Sequence, residues 1–144
     1  MVNFRDKDEQ LRILGLLEMN MNEEFRATLQ YICHRISARG IDEVIADSFK
    51  SAGLDEMAHI LFFSDLITKY GGVPRFTDWN IDRSSDLAQM LEKDIELEQA
   101  ARQRYGEQLK TVRDYPELYA LIESVLRDEQ DHEDTFRSYL EKLK

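Results

Sequence analysis

Leu54-Asp55-Glu56-Met57-Ala58-His59-Ile60-Leu61 places a Glu-x-x-His pair inside an otherwise apolar stretch. A second pair, Glu129-Gln130-Asp131-His132, lies near the end of the chain. On a helix, residues i and i+3 share a face one turn apart, so a carboxylate and an imidazole can grip one metal from the same side. Two of the three histidines in the chain are placed this way.

Around the first pair the apolar residues fall at helical spacing. Ile45, Phe49, Ala52, Glu56, His59, Phe63, Leu66 and Tyr70 step alternately by four and three, the pattern of a seam facing a bundle. The spacing predicts a helix from about Asp42 to Tyr70, stopped by Gly71-Gly72. Upstream, Leu14, Leu17, Met21, Phe25, Leu29, Ile32 and Ile36 predict a helix from about Asp8 to Ala38, ended by Gly40. Glu24 lies in line with Leu17, Met21, Thr28 and Tyr31 and so points inward; Glu23 reads as solvent-facing.

Val73 to Arg83, with Pro74 and Trp79, breaks the helical pattern. About a dozen extended residues span roughly 40 Å. A helix of about 28 residues is of the same length, roughly 42 Å. The segment can therefore cross the whole bundle and make the second and third helices parallel, with Trp79 pinning it down. The other two connections, near Gly40 and Asp114, are short and make antiparallel neighbours.

A third helix is predicted from an N-cap at Ser84 or Ser85, with Asp86 in its first turn. Its seam reads Leu87, Leu91, Ile95, Glu98, Ala101, Tyr105, Leu109, Val112. A fourth begins at Pro116, a residue suited to the first helical position. Its seam is Leu118, Ile122, Val125, Glu129, His132, Phe136, Leu140, Leu143. The expected fold is thus an all-α four-helix bundle, one domain over residues 1–144, with one long crossover between helices two and three. His34 lies in no motif and reads as a surface or interface residue; Cys33 reads as a small core or interface residue.

Each helix offers inward polar groups near its midpoint: Glu24, Glu56 with His59, Glu98, and Glu129 with His132. Buried without partners, such carboxylates would cost several kcal/mol per ion. Divalent cations remove that cost. No Lys or Arg falls on the seams, although Arg35 or Arg102 could pair with a single buried Glu. Four carboxylates and two imidazoles are the ligand set of a dinuclear iron or manganese centre in a four-helix bundle.

Composition sets further bounds. A formal net charge of −10 argues against nucleic-acid binding through a basic face. One cysteine permits no intrachain disulfide and no Cys-x-x-Cys iron or zinc site. The polar N-terminus does not read as a signal peptide, and no apolar run has the length of a membrane span. A cytoplasmic protein is expected.

The chain resembles the bacterioferritins over almost its whole length. The likeness is densest in Asn22-Glu23-Glu24 to Gln30-Tyr31, in Leu54 to His59, in Lys93-Asp94-Ile95-Glu96-Leu97-Glu98 and in Leu126 to His132. The resemblance implies that Glu56 and Glu129 bridge two irons, with Glu24 and His59 completing one and Glu98 and His132 the other. It implies ferroxidase chemistry, the oxidation of ferrous iron by dioxygen or peroxide, and storage of the ferric product inside a homo-oligomeric cage. Tyr31 matches a family tyrosine that supplies an electron, and reads equally as a core aromatic with a satisfied hydroxyl. Met57 aligns with the methionine that ligates haem between two subunits, and reads also as a packing residue, since Met fills irregular gaps.

The chain departs from the family in four places. It ends at Lys144, soon after the fourth helix, where bacterioferritins continue into a short fifth; this reading sets the 24-subunit shell in question. Ser51 stands where some members carry a histidine for inner-surface iron. Phe63 and Thr135 stand where some carry Tyr and Trp. A non-storage oxidase or peroxidase on the same bundle is the competing function.

Overall fold

The structure is a computed structural model and describes residues 2–144. Four helices carry the chain: α1 (Lys7–Ala38), α2 (Glu43–Lys69), α3 (Leu87–Leu109) and α4 (Pro116–Lys142). No strand occurs among the described residues. Three helices open on an aspartate that caps backbone N–H groups: Asp6 takes Glu9 N, Asp42 takes Val44 N and Ile45 N, and Asp86 takes Gln89 N. The α3 cap is therefore Asp86, not Ser84 or Ser85. The carboxylate, a stronger acceptor than a hydroxyl, wins the position. Pro116 opens α4 as expected.

The α1–α2 and α3–α4 pairs pack most closely, each joined by a short turn. Hydrogen bonds between α1 and α3 run in opposite order along the two helices: Asn20 meets Gln108, Glu24 meets Tyr105 and His34 meets Asp94. Both α2 and α3 are thus antiparallel to α1 and parallel to each other, the arrangement that the long crossover was expected to produce. At the start of that crossover Gly71 takes φ 94°, and a Cβ there would lie 2.8 Å from the Gln10 side-chain nitrogen that donates to Tyr70 O.

Two side-chain amides of α1 hold the crossover much as a neighbouring strand would. The Asn22 amide donates to Arg75 O (2.9 Å) and accepts from Thr77 N (2.7 Å). Gln30 does the same for Asp82, donating to its O and accepting from its N, both at 2.7 Å. Trp79 is half-buried with the Arg26 guanidinium 5.1 Å from its ring, and Phe76 packs on Phe25. Trp79 therefore pins the strap as expected, but with the two amides sharing the work.

The core divides into two apolar clusters. One holds Ile13, Leu17, Met21, Phe63, Leu66, Tyr105, Leu118 and Ile122; the other Tyr31, Ile45, Phe49, Met90, Leu91 and Phe136. Every member of the expected α2 seam is buried. The α1 stripe needs correction. Ile32 and Ile36 are exposed, and Leu14, Phe25 and Leu29 only half-buried. The buried line runs through Ile13, Leu17, Met21, Glu24, Thr28, Tyr31 and Ala38. In sequence the larger aliphatics outweigh a line containing Glu, Thr and Ala. In space the small and polar line faces inward.

His34 also needs correction, because its side chain is fully buried. Its Nδ1 lies 2.6 Å from Asp94 Oδ2, and its Nε2 lies 2.9 Å from Asp82 Oδ2 and 3.0 Å from the Gln30 amide nitrogen. The ring ties α1 to α3 and to the crossover together. Its partners come from distant parts of the chain, so no local motif announced it. Burial alone would lower the His34 pKa, but the two aspartates reverse this and raise it. Burial pushes Asp94 up to about 7, against the pull of His34. Replacing His34 with Ala leaves Asp94 buried without its donor and should cost about 3–5 kcal/mol, read as a lower urea midpoint.

Candidate metal centre

Glu24, Glu56, His59, Glu98, Glu129 and His132 are all buried and converge at mid-bundle. The reason is register: each sits on the inward line of its helix, and the α1/α3 antiparallel alignment sets Glu24 opposite Tyr105 and Glu98 opposite Tyr31, so the two glutamates stand about two turns apart, one for each half of the cluster. They form two overlapping groups, Glu24 with Glu56, His59 and Glu129, and Glu98 with Glu56, His132 and Glu129. Glu56 and Glu129 belong to both.

His59 Nδ1 stands 3.5 Å from Glu24 Oε2, 3.7 Å from Glu56 Oε1 and 3.7 Å from Glu129 Oε1. His132 Nδ1 stands 3.2 Å from Glu56 Oε1, 3.3 Å from Glu98 Oε1 and 3.8 Å from Glu129 Oε1. Ligand atoms held about 2.1 Å from one metal lie roughly 3.0–3.5 Å apart, so these spacings leave room for an ion in each group.

The opposite nitrogen of each imidazole is engaged. His59 Nε2 meets Asp128 Oδ2 at 2.7 Å, and His132 Nε2 meets Asp55 Oδ2 at 2.8 Å. Each aspartate comes from the helix facing its histidine. A carboxylate at Nε2 favours the proton there and leaves Nδ1 as a lone-pair donor turned inward.

The donor set fits a metal pair by an independent measure. Glu24 Oε2, both oxygens of Glu56, Glu98 Oε2, Glu129 Oε1, His59 Nδ1 and His132 Nδ1 are buried and have no hydrogen-bond partner. Such atoms are rare in native interiors and call for an ion or a proton. Burial, then the charges of its carboxylate neighbours, drives Glu56 and Glu129 well above the ordinary carboxylate range. Burial also acts upward on Glu24, yet the closeness of Glu56 and of His59, and the hydrogen bond from Tyr105, bring it below the ordinary value. His132, against the effect of burial, is raised to about 9 by Glu98 and Asp55. No lysine or arginine is paired with any of the six ligand-type residues among the described contacts. Arg102, a candidate partner by sequence, pairs with Glu133 at 2.6 Å.

Tyr31 is fully buried and donates its hydroxyl to Glu98 Oε1. Tyr105, which the sequence reading placed only in the core, donates to Glu24 Oε1 at 2.5 Å. Burial first, and then neighbouring carboxylate charge, keeps both phenols well above 10, so both are neutral donors. Met57 is not part of the cluster. It is 48% exposed on the outer side of α2, in a groove of about 320 Å³ with Ile32, Gly53 and Leu54. Within this chain Met57 therefore fills no core gap. Cys33 is a half-buried free thiol.

Asp55, Asp128 and Tyr105 are the neighbours that sequence reasoning passed over. A signal for them existed. Both pairs read Asp-Glu-x-x-His, and Glu24 and Glu98 are each followed seven residues later by a tyrosine.

Residues 14–144 match the family model described as the ferritin-like domain. No curated protein matches the chain by sequence. Among solved structures, the chain is similar to the Desulfovibrio desulfuricans bacterioferritin, whose di-iron site has been described in different catalytic states. The TM-score is 0.87 at 22% identity, over 97% of this chain and 84% of that one. It is similar to the dodecameric thioferritin of Bacteroides fragilis, with a TM-score of 0.85 at 20% identity, over 93% and 87% of the two chains. It is similar also to Mycobacterium tuberculosis bacterioferritin, with a TM-score of 0.81 at 24% identity, over 90% and 84%. Among the described residues, no helix is long and apolar enough to cross a membrane.

Proposed function

Because the chain belongs to the ferritin-like domain family, we propose that it is a ferroxidase of bacterioferritin type. It oxidises ferrous iron at a dinuclear site and passes the ferric product to storage in a homo-oligomer. The observation that carries this reading is the set of buried, unpartnered ligand atoms contributed by six residues on four helices. Glu56 and Glu129, common to both groups, are assigned as bridges. Glu24 with His59, and Glu98 with His132, complete the two halves.

When bound, an iron pair supplies two electrons together to dioxygen or peroxide; a manganese pair is the alternative occupant. The protein's own part is positioning. Asp55 and Asp128 fix the tautomer and tilt of the imidazoles. Tyr31 is assigned a place next to Glu98, from which a phenol can give an electron. A cavity of about 40 Å³ between α1 and α3 touches Glu24, Glu56, Glu129 and Tyr31, with Ala27 and Ala101 in its wall. It is roomy enough for a molecule the size of water, dioxygen or peroxide. Met57, in its exposed groove, could ligate a haem only together with a second copy of the chain. Oligomers are supported by the dodecameric state of the Bacteroides fragilis relative.

The test is aerobic ferrous titration of metal-free protein, followed by ferric absorbance. A fast phase should saturate near two irons per chain, as the two overlapping ligand groups require. Soluble iron uptake far beyond that point supports storage. Precipitation beyond it would withdraw storage and leave a di-metal oxidase or peroxidase. Absence of a fast phase would withdraw the ferroxidase itself.

A further inference from the structure

The two halves of the centre are built from one five-residue kit used twice. Glu24 with Tyr31 on α1 corresponds to Glu98 with Tyr105 on α3. Asp55-Glu56 with His59 on α2 corresponds to Asp128-Glu129 with His132 on α4. The kits cross over. Each aspartate serves the other helix's histidine, and each tyrosine serves the other helix's terminal carboxylate. A separation of seven residues is about two helical turns, so each tyrosine stands on the same face as its own glutamate. The antiparallel packing of α1 and α3 then sets it opposite the other glutamate.

Tyr105 is held firmly in this role. It is fully buried, stacked on Phe63 with ring centroids 6.1 Å apart, and it has the Arg104 guanidinium 4.8 Å from its ring. Its hydroxyl takes one oxygen of Glu24. The other, Oε2, is buried without a partner and lies 3.5 Å from His59 Nδ1. A carboxylate with both oxygens free can chelate a metal; a phenol hydrogen held by one oxygen takes up one of its lone pairs and favours binding through the other oxygen alone.

We propose that Tyr105 is a positioning residue that makes Glu24 a one-oxygen ligand and so keeps a coordination position open on the metal of the Glu24–His59 half. The inference rests on the dinuclear reading above. It assigns Tyr105 the place at Glu24 that Tyr31 holds at Glu98. With the phenol in place, a metal there would be held by one oxygen of Glu24, Nδ1 of His59 and one oxygen from each of Glu56 and Glu129. Four protein atoms leave room for a small oxidant on ions that accept five or six ligands. Without the hydroxyl, Glu24 is free to close that room itself.

The experiment is anaerobic cobalt(II) titration of the metal-free full-length chain, read by visible d–d absorption, with Tyr105→Phe and Tyr31→Phe side by side. The wild-type chain should take up two cobalt ions. Tyr105→Phe should keep both ions and the helical circular dichroism, while the absorption of one equivalent falls about twofold or more as a ligand is added. Tyr31→Phe should do the same to the other equivalent, and the double variant to both. Azide should bind more weakly to the altered equivalent. A Tyr105→Phe spectrum identical to wild type would overturn the proposal, and so would equal loss at both equivalents. Loss of helicity with loss of both ions would show that the phenol serves the fold instead. Failure of the wild-type chain to bind two cobalt ions would overturn the dinuclear reading, and is distinguishable from all of these.

Discussion

Replacing Glu56 and Glu129 together with leucine is expected to abolish the fast oxidation phase and to make the metal-free protein more stable by about 1–4 kcal/mol. The two effects have one cause. Both residues are buried at the shared centre of the two ligand groups, and neither oxygen of Glu56 has a hydrogen-bond partner. Burial and the surrounding carboxylates hold both groups well above their ordinary pKa, which measures how poorly the metal-free centre tolerates their charge. Leucine has nearly the volume of glutamate and needs no partner. The variant removes the two residues common to both ligand groups, so on the proposed reading the oxidation rate should fall by far more than the 10–100-fold typical of removing an outer partner.

Glu24→Leu should not give the same stability gain, because it strands the Tyr105 hydroxyl that Glu24 accepts. Urea unfolding of the three metal-free proteins, with stopped-flow oxidation of each, checks the set. A double variant less stable than wild type would mean that shared protons already satisfy the carboxylates. A double variant that still oxidises two irons rapidly would remove Glu56 and Glu129 from the centre.

The parts of this molecule that were legible in the sequence are those with a local period. The α2 and α4 seams carry apolar residues at every step around their polar pair, so helix, face and ligands could be read together; only Leu143, at the end of the α4 seam, is exposed. The crossover was legible because a dozen residues without helical pattern must go somewhere, and their reach matched the bundle. The α1 face was misread at Ile32 and Ile36 because a small and polar line won the inside, a choice made by the partner helices. His34 was misread for the same reason: Asp82 and Asp94, which make its burial tolerable, lie 48 and 60 residues away. Tyr105 was placed correctly in the core, but its hydroxyl has a meaning only once α1 and α3 are aligned. What sequence conceals here is pairing between helices; what it displays is the face of each.

Loading the protein with two equivalents of cobalt(II) or manganese(II) should raise its unfolding temperature by about 10–20 °C at pH 8, and by distinctly less at pH 6. At a free metal concentration 100-fold above Kd, each site adds about 2.7 kcal/mol, and for a chain of this size each kcal/mol is worth about 2–4 °C. The pH dependence follows from the directions of the shifts. Glu56, Glu129, His59 and His132 all have folded-state pKa values above their ordinary ones. Their contribution to the metal-free fold is full below the ordinary value and is lost as pH rises through the folded one. For His132 that window runs from 6.5 to about 9. Glu24 is shifted the other way, so its contribution is lost only on acidification below about 4.5, outside this window.

Metal-free protein should therefore soften between pH 6.5 and 9. Metals displace the same protons, so affinity rises over the same range and the loaded protein should gain where the free one loses. The buried His34–Asp94 pair adds a slope of the same sign to both forms. It cancels in the difference between loaded and metal-free unfolding temperatures, which is the quantity to measure. A difference that is large and widens with pH places protons and metals at the same six residues. A difference that does not change with pH would mean that the metal binds elsewhere, at groups already ionised in the unfolded chain.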